Sequence, residues 1–250
     1  GLNVSFVLGH FGIPSVIAGF FGGFTGDYIE KETRNRGYDM LPVHVEEITR
    51  INIFLNDGKD EYKFVNRGSY VSQTKQKEML DQLEKASDME CLVISGSLPP
   101  GIQDSYYEQI FEVCQKQQCK VVLDISSRKL KELLCFHPYL IKPNDEEIFE
   151  IFGWKLESDE DFKEALQKLH PLGAQNILLT MGSNGAWFYN GTDFYRSPAR
   201  PIQLLSSACA GDSALAAFLS IWLNHPERVE DAMIRSAATG ACVAESNGIG

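Results

Sequence analysis

An open α/β fold, with a mostly parallel sheet covered by helices on both faces, is the architecture this sequence predicts. Three observations lead there. Short continuous apolar runs recur along the chain, and stretches with helical patterning separate them. The motifs that could carry chemistry fall just after those runs, where open α/β sheets place their ligands.

Taken in order, Gly1-Leu2-Asn3-Val4 enters a helical pattern with no strand before it and no initiator Met, so native sequence is expected to precede it. Residues 15–20 read as a strand and 27–36 as a polar-faced helix. Residues 49–55 alternate with period two, Asn56-Asp57-Gly58 signals a turn, and residues 61–65 read as a second strand. This is a hairpin inserted between α/β units, with Ile51, Ile53 and Leu55 on one face and Arg50 and Asn52 on the other. The expected organisation is a core of residues 1–42 and 69–250, with residues 43–68 as a β-hairpin lid. Cys91-Leu92-Val93-Ile94-Ser95 has the pattern of a strand buried on both faces. Val121-Val122-Leu123-Asp124, Tyr139-Leu140-Ile141 and Ile177-Leu178-Leu179-Thr180 repeat it, with helices expected over 104–117, 144–152 and 161–169. Beyond residue 210, Leu215, Phe218, Leu219 and Trp222 share one face of a helix.

The bulk properties narrow the function. The chain has 250 residues, 44% hydrophobic and 23% charged, enough for one large core. Its net charge of −11 repels phosphate backbones, which argues against a nucleic-acid partner. An anionic substrate must instead meet a local basic or amide-lined pocket. No apolar run approaches the roughly 20 residues of a membrane span, and no signal-peptide pattern opens the chain. The cysteines Cys91, Cys114, Cys119, Cys135, Cys209 and Cys242 form no C-x-x-C pair and read as reduced thiols of a cytoplasmic protein.

Four motifs stand out. Cys209-Ala210-Gly211-Asp212-Ser213 opens a helix, where small residues let backbone amides approach an anion. Asp212 could act on a substrate there, although capping the helix would also account for it. Lys142-Pro143-Asn144-Asp145-Glu146-Glu147 follows a strand, and Asn144 and Glu147 could share a site for Mg²⁺. The same pair also suits a capping box. Ser95-Gly96-Ser97-Leu98-Pro99-Pro100-Gly101 is a turn-rich loop at the same sheet edge. Thr180-Met181-Gly182-Ser183-Asn184-Gly185 suits a turn into the strand Ala186-Trp187-Phe188-Tyr189. Neither a Gly-x4-Gly-Lys-Ser/Thr loop nor a Gly-x-Gly-x-x-Gly fingerprint occurs, which excludes P-loop kinases and argues against Rossmann-type dehydrogenases.

Together, in this order, the motifs resemble the ribokinase-like carbohydrate kinases of the PfkB family. Gly1-Leu2-Asn3-Val4-Ser5, the glycine-rich stretch 19–26 and Thr49-Arg50-Ile51-Asn52 are similar to further family segments, so the resemblance runs along the whole chain. It implies a ribokinase-like three-layer α/β/α core with a small β lid. It also implies ATP and Mg²⁺ as cofactors and a small phosphorylated sugar as substrate. Members acting on fructose 1-phosphate to give fructose 1,6-bisphosphate look nearest, and those acting on tagatose 6-phosphate are close; a non-catalytic nucleotide or sugar-phosphate binder is the alternative from another class. By resemblance, Asp212 is the base, and Cys209, Ala210 and Gly211 belong to the anion hole with it. Asn3, Arg50, Asn52 and Ser97 hold the sugar phosphate. Lys142, Thr180, Gly182, Gly185 and Asn247 contact the nucleotide, and Asn144 and Glu147 organise Mg²⁺. Cys209 stands where the family has glycine, so a positive φ there would be strained. A thiol at a helix N-terminus is also expected to have a lowered pKa. The family's first strand, with a sugar-binding Asp, has no counterpart in the sequence. The apolar face of the hairpin predicts a homodimer formed through the lid.

Overall fold

The computed structural model describes residues 1–56, 61–86 and 88–246. Helix α1 (Leu2–His10) leads to strand β1 (Val16–Gly22), helix α2 (Gly23–Asn35) and strand β2 (Asp39–Val45). Strands β3 (Ile53–Asn56) and β4 (Glu61–Phe64) make the hairpin, and helix α3 (Gln73–Lys85) follows. Strand β5 (Cys91–Ser95), helix α4 (Ser105–Lys116), strand β6 (Lys120–Asp124), the short helix α5 (Leu130–Leu133) and strand β7 (Leu140–Ile141) continue the alternation. Helices α6 (Asp145–Phe152) and α7 (Asp159–Leu169) precede strand β8 (Ile177–Thr180). Strands β9 (Ala186–Tyr189) and β10 (Phe194–Ser197) turn back, and helices α8 (Ala210–Trp222) and α9 (Val229–Ala244) complete the order.

The main sheet runs β5-β6-β7-β8-β9-β10. Strands β5 to β8 pair in parallel, while β9 and β10 are antiparallel. Alternation along each strand sorts side chains to opposite faces. Val121, Leu123, Ile141, Ile177 and Leu179 join one apolar cluster with Ile110 and Phe111 of α4 and Leu166 of α7. Val122, Leu140, Leu178 and Phe188 join the other, with Leu215, Phe218 and Leu219 of α8 and Val4 and Leu8 of α1. The three layers expected from the sequence are therefore present. Helix α8 is more deeply set than one apolar face suggests, since Ala216, Ala217 and Ile221 are buried as well.

Two expectations are corrected. The run at β5 is half-buried along its length and lies at the edge of the main sheet. Strands β1 and β2 pair with each other in a separate two-stranded parallel sheet. Between β1 and β5 lies a cavity of about 330 Å³, lined by Ala18, Gly19 and Phe20 on one side and Leu92, Val93 and Ile94 on the other. The second correction is at α2, which begins at Gly23, four residues before the expected start. Glycine has poor helix propensity, so the glycine-rich approach hid the first turn.

The hairpin pairs Ile53 with Phe64 and Leu55 with Tyr62. The expected turn at Asp57-Gly58 lies outside the described residues. Residues 49–52 alternate like a strand but carry none of the ladder. Asparagine side chains replace it: the Asn66 amide N–H donates to Asn52 Oδ1 at 3.2 Å, and Asn66 Nδ2 donates to the Ile51 carbonyl at 2.6 Å.

Candidate active site

Helix α8 begins at Ala210, directly after Cys209. Cys209 adopts φ 65°, ψ −5°, a left-handed conformation that costs a residue with a Cβ about 1–2 kcal/mol. The strain expected from the sequence is therefore present. The turn leaves the first-turn amides of Gly211 and Asp212 without a backbone acceptor among the described residues. Such donors, with the helix dipole behind them, form a site for an anion.

Helix α1 reaches the same place. Val4 and Leu8, one turn apart, are buried in the cluster that holds α8, which brings Asn3 to the head of that helix. Asn3 Nδ2 lies 3.0 Å from Asp212 Oδ2 and 3.0 Å from Cys209 Sγ. The carboxylate is thus held by a side chain more than 200 positions away. The Cys209 thiol departs from expectation: burial and the nearby Asp212 carboxylate raise its pKa. All six cysteines are free.

Below this turn sits Lys142, whose side chain is 7% exposed. Its Nζ lies 3.0 Å from Asp124 Oδ1. Burial pushes the ammonium pKa down, and the Asp124 carboxylate, with the Glu147 and Asp212 carboxylates adding to it, more than reverses this, leaving it above the usual lysine value. Burial dominates at Asp124 and raises its pKa despite the ammonium. Asp124 was read in the sequence only as the end of a strand. Its signal was a carboxylate closing an apolar run at the sheet edge that binds ligands.

At the next strand end, Asn144 and Glu147 complete a capping box on α6. Glu147 N–H donates to Asn144 Oδ1 at 2.7 Å, and Asn144 N–H donates to Glu147 Oε2 at 3.0 Å. The Ser126 hydroxyl donates to Glu147 Oε1. The capping alternative is therefore realised, and it fixes the carboxylate at the carboxyl edge of the sheet. Among the described residues no three His, Cys, Asp or Glu side chains group as a metal cage. The donor set suits an ion that keeps most of its waters, as Mg²⁺ does.

Thr180 ends β8, and its N–H donates to the Pro143 carbonyl at 3.1 Å, tying this turn to the Lys142 loop. Gly182 and Gly185 have φ 52° and 92°. A methyl group at Gly185 would lie 2.1 Å from the Ser197 carbonyl oxygen, so only glycine fits. Asn247 lies outside the described residues.

A second group gathers at the hairpin base. Arg50 Nη1 donates to Ser97 Oγ at 3.3 Å and to the Asn66 carbonyl at 3.4 Å. Arg50, Ser97 and Arg67, a residue the sequence reading missed, all line the cavity between β1 and β5. Asn52 turns its amide oxygen to the Asn66 backbone instead. The structure thus forms a cationic group at Arg50 and an acid-amide group at Asp212. Gly1 also lines the cavity, two residues from Asn3.

Known proteins resemble this chain along its whole length. The family model described as pfkB family carbohydrate kinase matches residues 1–250. D-tagatose-1-phosphate kinase of Klebsiella oxytoca is 47% identical over 250 residues, covering 100% of this chain and 82% of that protein. The 1-phosphofructokinase of Bacillus subtilis is 32% identical over 250 residues, covering 100% of the chain and 82% of that protein. A solved putative phosphofructokinase from Staphylococcus aureus superposes with a TM-score of 0.85 at 26% identity, covering 98% of this chain and 79% of that one. Phosphofructokinase-2 of Escherichia coli, at 24% identity, shares the fold with a TM-score of 0.90, covering 100% of this chain and 82% of that one. The chain belongs to the pfkB family of carbohydrate kinases, and it is an ATP-dependent carbohydrate kinase.

Proposed function

We propose that this chain transfers the γ-phosphoryl group of ATP to the C6 hydroxyl of a ketohexose 1-phosphate, with tagatose 1-phosphate preferred. The products are ADP and the 1,6-bisphosphate. The observation that carries this reading is the 47% identity, along the whole chain, to a D-tagatose-1-phosphate kinase. Fructose 1-phosphate, the substrate the sequence motifs favoured, is the second reading, supported by the 32% identity to a 1-phosphofructokinase. The two sugars differ only at C4.

In this mechanism Asp212, steadied by Asn3, takes the proton from the attacking hydroxyl. The amides of Gly211 and Asp212, in the turn that Cys209 and Ala210 form, stabilise charge on the transferred phosphoryl group. Arg50 clamps the phosphate already on the sugar, with Ser97 and Asn52 at the hairpin base. Lys142 and the turn of Thr180, Gly182 and Gly185 serve the nucleotide. Mg²⁺ would be held near Asn144 and Glu147 through water and would neutralise phosphate charge. The hairpin serves as a lid that excludes water on closure.

Side-by-side kcat/KM values for tagatose 1-phosphate, fructose 1-phosphate and tagatose 6-phosphate test the substrate. The expected order places tagatose 1-phosphate first. A preference for tagatose 6-phosphate would overturn the assignment to 1-phosphates.

The hairpin also supports a homodimer. Ile51, Ile53, Leu55, Tyr62 and Phe64 are each about half exposed, although they are large and apolar. Two hairpins facing each other would cover them. Light scattering is expected to give twice the 28.0 kDa of one chain, and a mass of one chain would contradict it. Free cysteines support a cytoplasmic location, and among the described residues no helix is long and apolar enough to cross a membrane.

A further inference from the structure

Asp124 takes part in none of the roles above, yet it is held at their centre. Strands β6 and β7 are parallel neighbours, with Leu123 opposite Ile141, so Asp124 and Lys142 stand side by side at the carboxyl end. Lys142 N–H donates to the Leu123 carbonyl at 2.9 Å, which extends the register by one residue. Strand alternation fixes the face. Val122 and Leu140 point into the cluster that contains α8, and two positions on, Asp124 and Lys142 point the same way.

They meet the head of α8 there. Lys142 Nζ lies 3.5 Å from the position a Cβ would take at Gly211. Among the described residues Asp124 is the ammonium's hydrogen-bond partner and engages one of three N–H donors, while the Glu147 and Asp212 carboxylates act on it only at longer range. Two donors are left for a ligand beside the first-turn amides. Lysine is a flexible point charge on a four-carbon stem, so without a fixed partner it would not hold one position. Both side chains are largely shielded from water, Lys142 at 7% and Asp124 at 15% exposure, which strengthens the pairing.

We propose that Asp124 is a positioning residue for phosphoryl transfer, holding the Lys142 ammonium against the Gly211 turn so that it meets the nucleotide's phosphates. It touches no substrate and acts only through Lys142. The proposal rests on the reading of this site as the place of phosphoryl transfer.

Four proteins test it: the native chain, Asp124→Asn, Lys142→Met and the double variant. ATP affinity is read by calorimetry and turnover by ADP release. Asp124→Asn is expected to lower kcat by about 100-fold, the scale of a misplaced reacting group. KM for the sugar phosphate is expected to stay within about twofold, because that group is bound elsewhere. ATP binding is expected to weaken by about tenfold, one charge-assisted contact. A defect confined to folding would not separate kcat from the sugar's KM in this way. Because Asp124 acts through Lys142, the double variant is expected to match Lys142→Met in both readouts. That comparison also decides the matter if Asp124→Asn alone fails to fold around an unpaired ammonium.

Native-like kcat and ATP affinity in Asp124→Asn would overturn the proposal. So would a double variant at least tenfold below Lys142→Met. If the native chain binds ATP without turning over, the kinase reading of the site fails, and the calorimetric comparison still decides the role of Asp124.

Discussion

Asp212→Asn is expected to lower kcat by about 10³-fold, within the range that a positioned general base contributes. The geometry makes this a clean experiment. Asp212 lies in the first turn of α8, and its Oδ2 accepts the Asn3 amide at 3.0 Å. An Asn side chain has the same shape and can keep that bond through its carbonyl oxygen, but it cannot take up the hydroxyl proton. KM for both substrates is therefore expected to move by less than about threefold, since the lost interaction belongs to the transition state. The melting temperature is expected to stay close to native, because the side chain is partly exposed and its helix is anchored by Leu215, Phe218 and Leu219. A variant with near-native turnover would mean that another group takes the proton.

Arg50→Ala is expected to raise KM for the sugar phosphate by about 10- to 100-fold, the value of one hydrogen bond to a charged group. The chain's net charge of −11 makes a local cation decisive for holding a second anion. Arg50 is held at the cavity wall, with one nitrogen on Ser97 Oγ and on the Asn66 carbonyl. Arg50→Lys is expected to recover only part of the affinity, because an ammonium cannot reproduce the planar fork. Raising the salt concentration is expected to weaken the native protein more than Arg50→Ala. An unchanged KM in Arg50→Ala would place the sugar's phosphate elsewhere, with Arg67 across the same cavity the next residue to substitute.

The features legible in the sequence are those written locally. Continuous apolar runs marked β6, β7 and β8, because strands covered on both faces need apolar side chains at successive positions. The same pattern misled at β5, which pairs with β6 alone and is half-buried. Composition records how apolar a strand is, and its neighbours come from elsewhere in the chain. The capping box of Asn144 and Glu147 was legible because its two residues lie three positions apart. The contact between Asn3 and Asp212 spans 209 positions, and no local spacing announces it. Asp124 was missed for the same reason, since its partner lies on the neighbouring strand. Cys209 shows both sides. Its backbone strain followed from the motif, while its raised thiol pKa followed from burial under α1, which the motif does not contain.

The most direct test of phosphoryl transfer by this site is ³¹P NMR of intact protein incubated with ATP, Mg²⁺ and tagatose 1-phosphate, beside Asp212→Asn. The native protein is predicted to produce ADP and a second sugar-phosphate resonance in equal amounts, with neither formed by the variant over the same time. ADP without a new phosphate ester, or equal bisphosphate from both proteins, would contradict the account.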